Sequence, residues 1–319
     1  MKKDLRIVFM GTPDFAVPSL ANLVDNGYNV VGVVTMPDKA IGRHHDVLQS
    51  SPVKQYADAH NIPVLQPEKL KDEGFLTDLR NLKADLQIVV AFRMLPQVVW
   101  GMPRLGTFNL HAALLPQYRG AAPINWAIIN GDKETGITTF FLDENIDTGR
   151  IILQERIPIG EEDCLEDIHD RMMIQGATLV QKTVDLIALG KAEATDQKQF
   201  MTNEPLRPAP KIFKETCEIK WTCTEQVYNF VRGLSPYPAA WTTLHTPEGK
   251  EITMKIFRTR KEIVSHNIVE TTLQTDNKTF MRVALPDGYL YLTEVQISGK
   301  KRMQITEFLR GAHIEGWTL

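Results

Sequence analysis

Cysteine is scarce in this chain: 3 among 319 residues, Cys164, Cys217 and Cys223. So few, and an odd number, argue against a disulfide framework and for a reducing compartment. No C-x-x-C pair occurs, so no metal site is expected. No apolar run approaches the ~18 residues of a membrane helix. The opening MKKDL leads into a short apolar stretch rather than the long one of a signal peptide. The chain is therefore expected to be cytoplasmic and without membrane contact; a monomer is the expectation for its assembly, on which the sequence itself is silent. A Gly-x-Gly-x-x-Gly fingerprint is also missing. Gly11-Thr12-Pro13 follows the first apolar run without the later glycines that let backbone approach a pyrophosphate, which argues against a nicotinamide dinucleotide site. Internal repeats and low-complexity tracts are absent.

What is present is an ordinary globular composition, 43% apolar and 24% charged, at a length that suits two domains. The net charge of -3 hides an asymmetry. Residues 1–205 hold 20 Lys+Arg against 27 Asp+Glu, and residues 206–319 hold 16 against 12. A basic second part beside an acidic first part fits contact with a polyanion.

Residues 5–10 (LRIVFM) form a continuous apolar run closed by Gly11, the pattern of a buried parallel strand. A helix is expected over 14–26, a strand over 28–35, a polar irregular stretch over 36–51 and a helix over 52–60. Further strands are expected at 86–92, 106–110, 138–142 and 151–157, followed by a long amphipathic helix over 166–189. Alternating strands and helices imply a Rossmann-like α/β domain with a parallel sheet over residues 1–190. The Pro-bearing stretch 191–210 reads as a linker. Residues 211–319 read as a helix over 224–233 followed by short strands with turn signals at Pro247-Glu248-Gly249 and Pro286-Asp287-Gly288, a small OB-like β-barrel.

The informative stretch is FNLHAALLPQYRG, residues 108–120. Asn109 and His111 are two apart at a strand end, so both side chains take the same face. The carboxyl edge of a parallel sheet is where such folds bind ligands. Downstream comes LDENIDTG, residues 142–149. Asn-x-His-x-x-Leu-Leu-Pro-x-Tyr-Arg-Gly followed by Asp-x-x-x-Asp-Thr-Gly resembles the folate-dependent formyltransferases, and the resemblance runs from the first strand to the C-terminus.

That resemblance implies that Asn109, His111 and Asp147 are the catalytic set and that 10-formyltetrahydrofolate is the co-substrate. An amine attacks the formyl carbon, Asn109 and His111 serve the oxyanion, and Asp147 holds His111 or relays a proton. Whether His111 or Asp147 takes the amine proton stays open. The resemblance implies a pterin pocket lined by Phe92, Arg93, Met94, Leu95, Leu114, Pro116, Asp143 and Ile146. Residues 91–96 are one position shorter than is usual in the family, and Arg93 could instead face solvent.

The implied acceptor is the methionine on charged initiator tRNA. Residues 36–57, with Pro-Asp-x-x-x-Gly-Arg and Ser-Pro-Val-Lys, resemble the family's inserted tRNA loop. Arg43 and Lys39 are implied contacts there, although His44-His45-Asp46-Val47 replaces the usual glycine and lysines. Lys211, Lys300 and Arg302 are the implied tRNA contacts of the second domain.

Overall fold

The computed structural model describes residues 4–41 and 47–319, which separate into two compact units. The first gathers the described residues of Met1–Gly120 with Gly136–Ile157 and His169–Pro208. Its strands are β1 (Arg6–Gly11), β2 (Asn29–Val34), β3 (Lys39–Ile41), β4 (Val47–Gln49), β5 (Val64–Leu65), β6 (Leu86–Val90), β7 (Thr107–His111), β8 (Glu134–Phe141) and β9 (Ile151–Pro158). Its helices are α1 (Val17–Asp25), α2 (Pro52–Ala59), α3 (Glu73–Asn81) and α4 (Gln97–Trp100). Helix α5 (Pro123–Ile129) falls in the second unit, and α6 is Leu165–Ala188.

Seven strands form one sheet in the order β5-β2-β1-β6-β7-β8-β9. The pairs from β5 to β7 are parallel. Strand β1 lies inside the sheet, between β2 and β6, with Ile7, Val8, Phe9 and Met10 fully buried, which accounts for its unbroken apolar run. β8 departs from the all-parallel expectation and runs antiparallel to β7, with His111 opposite Thr138 and Phe108 opposite Phe141. The sheet puts the start of the 91–96 segment beside the site. Val90 of β6 is in register with Leu110, so the chain leaves β6 next to His111.

Local chemistry sets the helix starts. Ser51 Oγ accepts the Lys54 N–H at 3.1 Å and Pro52 fills the first turn of α2. Asp72 accepts the Phe75 N–H at 2.9 Å to open α3, a helix that the sequence pattern did not suggest.

The stretch 36–51, expected to be irregular, instead contains an antiparallel pair. β3 and β4 match Lys39 with Gln49 and Ala40 with Leu48. Their base is locked to the sheet edge. Lys54 Nζ donates to Asp38 Oδ2 at 2.7 Å, Gln66 Nε2 donates to Asp38 Oδ1 at 2.8 Å and to the Met36 carbonyl at 3.0 Å, and the Thr35 and Ser51 hydroxyls are 2.7 Å apart. Arg43, His44 and His45 lie outside the described residues.

The second unit gathers Ala121–Thr135, Pro158–Ile168 and Ala209–Leu319. It contains α7 (Thr224–Leu234), β10 (Ala240–His245), β11 (Glu251–Ile263), β12 (Leu273–Thr275), β13 (Met281–Leu285), β14 (Gly288–Ile297), β15 (Met303–Gln304) and α8 (Ile305–Gly311). The strands form an antiparallel curled sheet in the order β10-β11-β14-β13-β12, with β15 on β14. The register of β11 shifts on both sides of Arg258, which bends this long strand. Both expected turns join strands. At Pro286-Asp287-Gly288 only glycine serves, because a Cβ on Gly288 would meet the Glu262 carbonyl oxygen at 2.0 Å. Val227, Val231 and Leu234 of α7 close the core with Leu244, Ile256 and Leu292.

Two short segments from earlier in the chain are built into this unit. Asn125 donates to the Gly233 carbonyl at 2.9 Å. The buried Arg232 guanidinium donates to the Gly160 and Asp163 carbonyls at 3.1 and 2.9 Å.

The lock at the base of the β3–β4 pair is testable by pH. The hydrogen bond from Lys54, then that from Gln66, holds the Asp38 carboxyl below its ordinary value of 3.8. A depressed folded-state pKa contributes stability above the unfolded value and loses it as the pH falls through the folded value. The stability difference between the native chain and Asp38→Asn is therefore expected to be full above pH 3.8 and to close below it. Chemical denaturation along a pH series checks this, and a difference that does not vary with pH would remove the charge from the lock.

Candidate active site

His111 ends β7 and is 6% exposed. Its Nε2 is 2.8 Å from the Tyr118 carbonyl oxygen. A carbonyl only accepts, so Nε2 carries a hydrogen and the neutral ring keeps its lone pair on Nδ1. Nδ1 faces Asp147 Oδ2 at 3.8 Å. The edge of the ring packs against Phe140 at 6.5 Å between centroids. These contacts fix which nitrogen is available to a substrate proton.

Asp147 arrives on the β8–β9 loop. The Gly120 N–H donates to its Oδ2 at 2.9 Å, and its own carbonyl accepts from Gln197 Nε2 at 2.8 Å. Tyr118 and Asp147, the two residues that orient His111, both have left-handed backbone, at φ 58° and 55°. Neither is glycine, so each is held there against a steric cost. Tyr118 is held through its N–H, which donates to the Arg207 carbonyl at 2.7 Å, and its hydroxyl, which accepts from Arg207 at 3.2 Å.

The loop between His111 and Tyr118 is tied to the sheet by Thr138. This hydroxyl donates to the Ala113 carbonyl at 2.6 Å and accepts the Leu115 N–H at 3.2 Å. Gln154 adds a bond to the Leu115 carbonyl at 2.8 Å. Asn109 is half-buried on β7, two residues before His111, and its amide has no partner among the described residues.

Residues 191–210, read as a linker, carry part of the site's framework. Thr195 pairs with Ile151 in an isolated antiparallel bridge. Gln197, 3% exposed, accepts from Arg119 Nε and Nη2 at 3.1 and 2.6 Å and donates to the Asp147 and Gly149 carbonyls, both at 2.8 Å. Sequence reasoning missed Gln197, and no motif marks it. Its one local signal is Asp196, whose carboxylate accepts the Lys198 N–H at 2.8 Å and so starts a turn inside the supposed linker.

The residues implied for the pterin pocket have unequal surroundings. Met94 and Ile146 are exposed apolar side chains at 72% and 60%. Leu95 is buried among Val8, Val34 and Val89, and Phe92 packs at the edge of the same cluster. Pro116 is buried, and Leu114 packs over the bare backbone of Gly136. Asp143 accepts from the Thr148 hydroxyl at 2.7 Å, within its own loop. Arg93 donates to the Pro67 carbonyl and to the Glu68 carbonyl, the latter at 2.8 Å, and its Nε is buried without a partner among the described residues.

Of the residues implied for tRNA, Lys39, Lys211 and Lys300 are exposed. Arg302 is spent on Glu294 through two bonds of 2.7 Å and lies over the Phe257 ring at 4.4 Å.

A buried, oriented histidine–aspartate pair beside an unpartnered asparagine amide suits acyl transfer to a nucleophile supplied by the substrate. The comparisons agree. The family model described as formyl transferase matches residues 5–184, and that of the formyl transferase C-terminal domain matches residues 211–313. The chain belongs to the formyltransferase family. A methionyl-tRNA formyltransferase of Parabacteroides distasonis is 62% identical over 312 residues, 97% of this chain and 96% of that one. A methionyl-tRNA formyltransferase of Porphyromonas gingivalis is 49% identical over 97% of this chain and 96% of its own length. Among solved structures, the N-formyltransferase of Helicobacter canadensis in complex with folinic acid and dTDP-3-aminofucose shares the fold. Its TM-score is 0.65 at 19% identity, covering 94% of this chain and 100% of that one.

Gly149 closes the Asp-Thr-Gly motif for a steric reason. A Cβ there would stand 1.6 Å from the Phe141 carbonyl oxygen, a backbone atom that cannot rotate away. Gly149→Ala is expected to cost more than the ~1–3 kcal/mol of ordinary overpacking. Urea denaturation measures it, and an unchanged midpoint would mean that the loop yields freely.

Proposed function

We propose that this chain transfers the formyl group of 10-formyltetrahydrofolate to the α-amino group of methionyl initiator tRNA. The observation that carries the proposal is the His111 ring, held by the Tyr118 carbonyl at Nε2 and faced by Asp147 at Nδ1. The near-full-length likeness to methionyl-tRNA formyltransferases supports the choice of acceptor.

The folate supplies the formyl carbon. The unpartnered amide of Asn109 donates to an oxygen that gains charge during transfer, where such a donor is typically worth ~3 kcal/mol. His111 Nδ1 takes the proton that the attacking amine releases, the Asp147 carboxylate faces the positive ring that results, and the ring returns the proton to the folate nitrogen as its bond to the formyl carbon breaks and tetrahydrofolate leaves. The exposed Met94 and Ile146 side chains fit the faces of a flat heterocycle, while backbone groups of 92–96 read its edge. Arg93 acts by tying that segment to the Pro67 and Glu68 carbonyls.

The first unit carries the catalysis and the second binds tRNA, in a cytoplasmic monomer. Lys39, Arg43, Lys211 and Lys300 contact tRNA phosphates. Arg302 contributes less, because Glu294 already neutralises it.

Purified protein is expected to formylate methionyl initiator tRNA and to leave methionyl elongator tRNA largely untouched. Transfer to an amino sugar nucleotide, with neither tRNA modified, would refute the acceptor. His111→Ala is expected to lose about 100-fold or more in turnover. Turnover close to that of the native chain would take His111 out of the mechanism.

A further inference from the structure

Gln197 uses its whole hydrogen-bonding capacity inside the protein. Both acceptor positions of Oε1 take Arg119 N–H groups, and both Nε2 hydrogens go to the carbonyls of Asp147 and Gly149. Arg119 sits between the two residues that orient the catalytic pair. The carbonyl of Tyr118 holds His111, and the N–H of Gly120 holds Asp147. One amide therefore joins the backbone that carries Asp147 to the turn that fixes both partners. It closes a ring from His111 through Tyr118, Arg119, Gln197 and Asp147 back to His111. Of this ring, only His111 and Asp147 are given a part in the chemistry.

We infer that Gln197 is a positioning residue that sets the separation and alignment of His111 and Asp147 from outside the active site. The inference rests on the reading of His111 and Asp147 as the catalytic pair. Only a neutral amide fills the position. A carboxylate would strengthen the bond to Arg119 but turn acceptor oxygens toward two carbonyls. A thioether of similar length would bond to neither side.

The test is steady-state formyl transfer with the full chain and its Gln197→Met, Gln197→Glu, Arg119→Met and Asp147→Asn variants. Gln197→Met and Gln197→Glu are each expected to lower kcat by about 10- to 100-fold, the scale of an ångström-level misplacement. KM for tRNA and for the folate is expected to stay within about threefold, since no binding contact is lost. Gln197→Glu failing to rescue, despite keeping Arg119, distinguishes the carbonyl bonds from mere filling of space. A native kcat in either Gln197 variant, or a loss that falls equally on KM, overturns the inference. If neither Gln197 variant folds, Arg119→Met decides. A kcat reduced by about threefold or more at constant KM supports the ring, and an unchanged kcat overturns it. Asp147→Asn separates the two levels of argument. Full activity there would remove the catalytic pair itself, whereas a defective Asp147→Asn beside active Gln197 variants would remove only the role of Gln197.

Discussion

The site depends on two residues held in a backbone conformation that they do not favour. Tyr118 and Asp147 are both left-handed, at φ 58° and 55°. Such a placement costs about 1–2 kcal/mol for a residue with a Cβ, and less for an aspartate, whose short polar side chain tolerates it. Both conformations are needed, because one delivers the carbonyl that binds His111 Nε2 and the other delivers the carboxylate that faces Nδ1. Much of what offsets the cost comes from one stretch of chain. Arg207 bonds to the N–H and the hydroxyl of Tyr118, and Gln197 bonds to the carbonyl of Asp147. Each buried hydrogen bond nets about 1 kcal/mol, and breaking one to leave an orphan costs about 1–3 kcal/mol. The strap and the strain are therefore of comparable size, and neither left-handed residue is secure without it.

The sheet supplies the rigid reference for this arrangement. Asn109 and His111 stand on β7, which is bonded to β6 on one side and β8 on the other, so neither can shift without breaking a ladder. The antiparallel turn of β8 matters here. It puts Thr138 directly opposite His111, and that hydroxyl pins the loop leading from His111 to Tyr118. A parallel β8 would need a crossover of a dozen or more residues back to the end of the sheet where β7 starts. The local reversal of direction thus serves the geometry of the histidine.

Much of this was legible in sequence because it is local. The apolar run of β1, the two-residue spacing of Asn109 and His111 on β7, the capped start of α2 at Ser51-Pro52 and the turn at Pro286-Asp287-Gly288 each depend on a few neighbouring residues. What escaped was bonded at long range. Gln197 meets Arg119 and Asp147 across 78 and 50 positions, and Arg207 meets Tyr118 across 89. Such pairs leave no period and no spacing, and prolines around them read as a tether. The same limit hid α5, whose bond to Gly233 spans 108 positions and builds it into the second unit. Composition could not show that Arg302 is already paired with Glu294 either, since the bond is a matter of side-chain rotamers.

Motif identity and motif role also part company in residues 36–57. Matching Pro37-Asp38 and Ser51-Pro52-Val53-Lys54 to a nucleic-acid loop suggests that the matched residues touch the ligand. The geometry gives Asp38 and Lys54 to each other at 2.7 Å and gives Ser51 to the start of α2 and to Thr35. These are anchors at the two ends of a paired segment. Their chemistry is to keep β3 and β4 aligned at the sheet edge, not to bind an anion, because a lysine that already neutralises an aspartate has little charge left for a phosphate. The matched Asp38, Ser51 and Lys54 therefore mark the frame of the paired segment.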